Sequence, residues 1–139
     1  MKSTKAGPFY QLRLERGEDI PLAVTQFVKE KGIKSGIITG LGAAEKVVLG
    51  YFDRKRRTYR KRRFSGEYEI ANITGNIAWD GKVPICHLHA AIAGAQLTVR
   101  AGHLFAGRVT ATCEVAILPG QKRLIRSTDP ETGLKLLGL

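Results

Sequence analysis

The hydrophobic period of this chain changes once, and that change sets what it can fold into. Between Asp19 and Gly32, the apolar residues Ile20, Val24, Phe27 and Val28 recur at three- and four-residue spacing, with Ala23 completing the stripe. That is the pattern of an amphipathic helix. Asp19 suits the N-cap, Pro21 fits a first turn whose amides need no partner, and Gly32 suits the position just past the end. No other stretch repeats the pattern. Ahead of it, residues 9–15 alternate apolar and polar side chains and stop at Gly17, which predicts a half-buried strand. From Ser35 onward the period is two, or the chain runs in short apolar bursts, over residues 36–43, 46–52, 59–64, 68–77, 85–93, 97–105 and 110–118. Asp80-Gly81 and Ala93-Gly94 mark turns between them. One helix and seven or eight short strands predict an α+β fold built on a mostly antiparallel β-sheet.

With 139 residues and no linker or repeat, the chain is expected to be a single domain spanning 1–139. Residues 1–7 form an N-terminal extension and 121–139 a C-terminal tail with a turn at Asp129–Gly133. The leucines at 134, 136, 137 and 139 call for cover from the domain or a neighbour. No segment has the roughly 20 apolar residues of a membrane span, and the N-terminus lacks the apolar core of a signal peptide. A cytoplasmic location is the expectation. Cys86 and Cys113 show no CxxC spacing and read as reduced, buried small hydrophobes.

His87 and His89 are one residue apart in a strand and therefore share a face. The opposite face carries Cys86, Leu88, Ala90 and Ile92, an apolar set. His103 follows after a loop around Gly94-Ala95-Gln96, with Gly102 beside it leaving room for a ligand or a close backbone. The three imidazoles are candidate ligands of one divalent metal. Zn²⁺ is the first choice, with a fourth position open to water or substrate, while Mn²⁺, Fe²⁺, Co²⁺ and Ni²⁺ remain chemically acceptable. Glu69 and Glu114 are candidates to orient a histidine or act as a base, because a lone carboxylate on an apolar strand needs a partner.

The formal charge of +11 is unevenly spread. Arg54, Lys55, Arg56, Arg57, Arg60, Lys61, Arg62 and Arg63 form one run, and the rest of the chain has fifteen basic against twelve acidic residues. Such a run predicts a hairpin that meets phosphates non-specifically, with Tyr59 available to stack, or an edge that repels other strands. Gly40-Leu41-Gly42 lacks the remainder of any nucleotide-binding fingerprint.

Taken in order, the motifs resemble a known family. They are Gly17-Glu18-Asp19-Ile20, Ser35-Gly36 to Gly40-Leu41-Gly42-Ala43, Leu49-Gly50-Tyr51-Phe52-Asp53, Gly66-Glu67-Tyr68-Glu69-Ile70, Thr74-Gly75-Asn76-Ile77, His87-Leu88-His89 and Gly102-His103-Leu104. From about Tyr10 to Leu118 the chain is similar to the PPC domain of plants and prokaryotes, in its stand-alone prokaryotic form. The resemblance implies an α+β fold assembling as a homotrimer. Prokaryotic members are commonly labelled DNA-binding, and some hold zinc through the histidines that correspond to His87, His89 and His103. Plant members lack those histidines, and no Arg-Gly-Arg-Pro core of an AT-hook occurs here. Two functions follow as expectations: a metal-bearing, nucleic-acid-associated binding protein, or a metal-dependent hydrolase or lyase acting on a small anionic substrate.

Overall fold

The structure, a computed structural model, describes residues 1–139. Asp19 caps the helix α1 (Ile20–Glu30), its carboxylate accepting from the Leu22 amide at 3.2 Å, and Gly32 beyond the end takes a left-handed φ of 62°. Ile20, Val24, Phe27 and Val28 form the buried stripe, as their spacing requires. The helix lies across two strands, β5 (Val83–Ala93) and β6 (Val99–Gly120). Its residues join Leu88, Ala90, Ile92, Leu104, Val115 and Ile117 in one core.

The other strands are β1 (Lys2–Ala6), β2 (Phe9–Glu15), β3 (Ser35–Asp53), β4 (Thr58–Asp80), β7 (Ile125–Thr128) and β8 (Lys135–Gly138). All belong to one sheet in the order β1-β2-β6-β3-β4-β7-β8, with β5 bonded to both β4 and β6. Because β4 and β6 both flank β3, the strands β3, β4, β5 and β6 form a closed circuit of pairings. All pairings are antiparallel except the single bridge from β4 to β7 at Trp79 and Ile125.

The short strands expected from the sequence are pieces of longer ones. Residues 36–43 and 46–52 are halves of β3, 59–64 and 68–77 halves of β4, and 110–118 continues from residue 99 in β6. The break between residues 43 and 46 is absorbed as a bulge at Glu45/Val47, where Lys46 has a φ of 52°, and the glycines of the first half carry a second bulge at Gly40/Gly42. A bulge adds a residue and bends a strand without ending it. The bend lets one strand serve two neighbours: residues 113–117 of β6 pair with both β2 and β3, while His103 pairs with both β3 and β5.

Lys2–Ala6 pairs with β2, so the N-terminal extension is a strand. In the tail, β7 and β8 make a hairpin around Asp129, which accepts hydrogen bonds from the Thr132 amide and hydroxyl. This hairpin docks through the Trp79 amide, which donates to the Leu124 carbonyl, and through Arg126, while Leu139 is fully exposed. No helix is long and apolar enough to cross a membrane.

Candidate metal centre

Strand parity and register bring the histidines together. His87 and His89 occupy one face of β5, and Leu88, Ala90 and Ile92 are buried on the other. In the β5–β6 ladder His89 lies directly opposite His103, and His103 pairs in turn with Gly50 of β3. On the other flank Thr74 and Asn76 of β4 pair with His89 and His87. Glycines make this approach possible. A Cβ on Gly102 would lie 2.8 Å from the Gly50 carbonyl oxygen, and one on Gly50 would lie 2.4 Å from the Phe105 ring. The space beside His103 is thus filled by neighbouring backbone, not left for a ligand.

One nitrogen from each imidazole falls within 4.8 Å of the others, and the Nε2 atoms of His87 and His89 are 3.2 Å apart. Two ligands at 2.0–2.1 Å on adjacent corners of a tetrahedron stand about 3.3 Å apart, so this spacing fits one zinc ion. His103 Nδ1 is buried with no hydrogen-bond partner. An unpaired buried imidazole nitrogen costs free energy, and coordination would relieve it. Burial pushes the His103 pKa down to about 4, with His87, His89, Lys61 and Arg126 adding positive charge nearby. His87 is also lowered, by burial first and then by Arg126 and His89. Both shifts favour the neutral ring, the form that ligates metal.

Three further residues shape the site. Arg126 of β7 donates through Nη2 to Asn76 Oδ1 at 2.6 Å and lies 3.4 Å from His87 Nδ1. Guanidinium can only donate, so a hydrogen bond at that contact requires Nδ1 to accept, with the ring proton on Nε2, facing His89. Metal on Nε2 would require that proton to move to Nδ1 and the Arg126 contact to loosen. Tyr59 packs its ring 5.1 Å from His103, 5.0 Å from Phe105 and 5.2 Å from Phe52. That aromatic cluster explains why Tyr59 is not free to stack on a partner.

Glu69 and Glu114 do not reach the histidines. Glu69 is exposed opposite Ala43 and Ala93 near the end of β5. Glu114 is exposed between Arg13 and Leu41, in the half of β6 remote from β5. Both carboxylates face water and need no buried partner. Asn76 and Arg126 stand where those carboxylates were expected. Asn76 could have been found from its β4 strand, but Arg126 belongs to the tail and left no local signal.

The basic run divides by position. Arg54–Arg57 form the β3–β4 turn, and Arg60–Arg63 run along β4, where residues 58–64 pair only with β3. Asp53 anchors the turn. It accepts from the Lys55 and Arg56 amides at 3.1 Å and from the side chains of Arg56 and Arg60. Arg54 meets the exposed Glu131 at 3.2 Å, and Lys61 lies 3.9 Å from the Phe105 ring centroid. Lys55, Arg57, Arg62 and Arg63 have no carboxylate partner. Elsewhere, the thiols of Cys86 and Cys113 are pushed up by burial to about 11 and about 12, as befits packed, unreactive cysteines.

Residues 1–120 match the Plants and Prokaryotes Conserved (PCC) domain. The chain belongs to that family. A candidate DNA-binding protein from Bacteroides thetaiotaomicron superposes on this PCC-domain chain with a TM-score of 0.95 at 31% identity, covering 99% of this chain and 96% of that one. A metal-containing protein from Archaeoglobus fulgidus matches with a TM-score of 0.88 at 33% identity over 97% and 96% of the two chains. A plant- and prokaryote-conserved protein from Pyrococcus horikoshii gives 0.88 at 26% identity over 96% and 92%. The bifunctional protein GlmU of Synechococcus sp. (strain JA-3-3Ab) is 28% identical over 127 residues, 89% of this chain. The PCC chain spans 19% of that protein's length.

Proposed function

We propose that this PCC-domain chain is a metal-bearing binding module that associates with nucleic acid and works in the cytoplasm as a homotrimer. His87, His89 and His103 hold one divalent ion, with Zn²⁺ the expected one. The reading is carried by the convergence of three imidazoles within 4.8 Å on two paired strands. A metal-containing relative at 33% identity supports it. Bound zinc would staple β5 to β6 and act as a Lewis acid toward whatever occupies its fourth position.

For the nucleic acid, support comes from the relatives described as candidate DNA-binding proteins in Bacteroides thetaiotaomicron and Ralstonia eutropha. The hairpin adds the chemistry: cations without carboxylate partners at an exposed turn and a half-paired strand. Three hairpins in a trimer would carry a formal charge of about +24, enough for phosphate contact without base reading. For the trimer, the supporting feature is an uncovered sheet face. Ile37, Leu41 and Leu118 are 62%, 55% and 47% exposed, and Ile37 lies in register with Asn76, the partner of His87.

Fluorescence anisotropy with duplex DNA tests the hairpin. Changing Lys55, Arg57, Arg62 and Arg63 to Gln is expected to weaken binding and to flatten the log–log salt slope by about 3 to 4. Unchanged affinity and slope would remove the hairpin from the account.

A further inference from the structure

Arg126 is a buried cation without an anion. Only 7% of it is exposed, and it takes part in none of the ion pairs of the protein. Its guanidinium donates to Asn76 Oδ1 at 2.6 Å and to the Lys135 carbonyl at 2.7 Å, both neutral acceptors. Its Nε–H is buried with no acceptor at all. Arginine is almost never buried unless paired, because the charge loses its water and gains nothing equal in return.

The surroundings deepen the deficit. The groups facing Arg126 are His87 and the phenol of Tyr59, whose pKa it pulls down against the upward push of burial. Lys61 and Arg126 both act on His103 with the same positive sign. The acids nearest along the chain are committed elsewhere: Asp129 to Thr132 and Glu131 to Arg54. A divalent ion on the histidines would add charge of the same sign. The site therefore collects cations and directed N–H groups with no protein carboxylate among them.

We propose that Arg126, with Tyr59 and the three-histidine centre beside it, is the receptor for a small oxyanion, the carboxylate or phosphate group of a free small molecule. The anion supplies the acceptor that Arg126 Nε lacks and the negative charge that the site lacks. A cavity of about 220 Å³ is lined by Thr74, Gly75, Asn76, His87 and His89, of which Asn76 and His87 also meet Arg126, with the Thr74 hydroxyl and Asn76 amide as further partners for the anion. Arginine is suited to this task because its planar fork matches an oxyanion. The inference rests on the metal reading for the ion's share of the attraction, and on Arg126 alone for the rest.

The test follows the Arg126 Nε–H signal by ¹⁵N NMR in the full chain, both zinc-loaded and stripped with chelator. Sodium phosphate, sodium acetate and sodium chloride are titrated at matched ionic strength. A saturable shift with phosphate or acetate, absent with chloride, is expected. R126K keeps the charge but loses the Nε–H and the fork, and is expected to bind the preferred anion at least about tenfold more weakly. The stronger of the two anions identifies the ligand class. No saturable shift in either metal state, or an equal shift with chloride, overturns the proposal, and the wild-type titration decides even if R126K fails to fold. An anion-dependent shift in a protein that takes up no zinc would leave the receptor standing and the metal reading fallen. Zinc uptake without any anion response would do the reverse.

Discussion

At Gly75 an added Cβ would lie 2.2 Å from the His87 carbonyl oxygen and 2.7 Å from a Leu88 methyl. The clash is with backbone, which can only move as a strand. G75A is therefore expected to destabilise the fold by about 1–3 kcal/mol in urea melts and to weaken metal uptake, because it pushes β5 away at the residue that presents an imidazole. Asp53 acts through charge. Its carboxyl is held below the usual carboxylate range, first by the Arg56 amide and then by the Arg56 and Arg60 side chains. A lowered folded pKa stabilises the ionised form, so this contribution is complete above the ordinary carboxylate range, near pH 4, and disappears as pH falls through the lower folded value. D53N should melt below wild type at pH 7, and the gap should shrink as pH falls below about 4. A gap independent of pH would contradict the assignment.

Among the elements, the helix was the most legible in the sequence, because its signals are local. Asp19, the apolar stripe and Gly32 each act within one or two turns. Asp19 does more than cap: its second oxygen accepts from the Gly107 amide at 3.2 Å, tying the helix start to β6. D19A is expected to cost about 1–2 kcal/mol in chemical denaturation, above an ordinary cap loss, since two amides lose their partner. The strands were legible in parity but not in length. Alternation places His87 and His89 on one face wherever the strand ends. The glycines of residues 36–43 signal the bulge at Gly42, where the Thr112 carbonyl lies across the ladder, but the bulge at Lys46 carries no such local mark.

At the scale of the whole molecule, the closed circuit of β3, β4, β5 and β6 puts the three histidines on the face away from the helix, and the basic hairpin extends from two of the same strands. His103 was readable because a single hairpin returns it beside His89. Arg126 and Tyr59 were not, since they arrive from the tail and from the first residues of β4, through contacts with His87 and His103 that no local pattern reports. Glu69 and Glu114 were misplaced for the same reason: strand assignment cannot say which half of a long strand meets which neighbour. Native mass spectrometry of the purified assembly, wild type beside H89A, tests the central claim most directly. The account predicts one divalent ion per chain in a three-chain assembly for wild type, and loss of the ion in H89A. Wild type without a metal ion, or H89A with the same metal content, would contradict it.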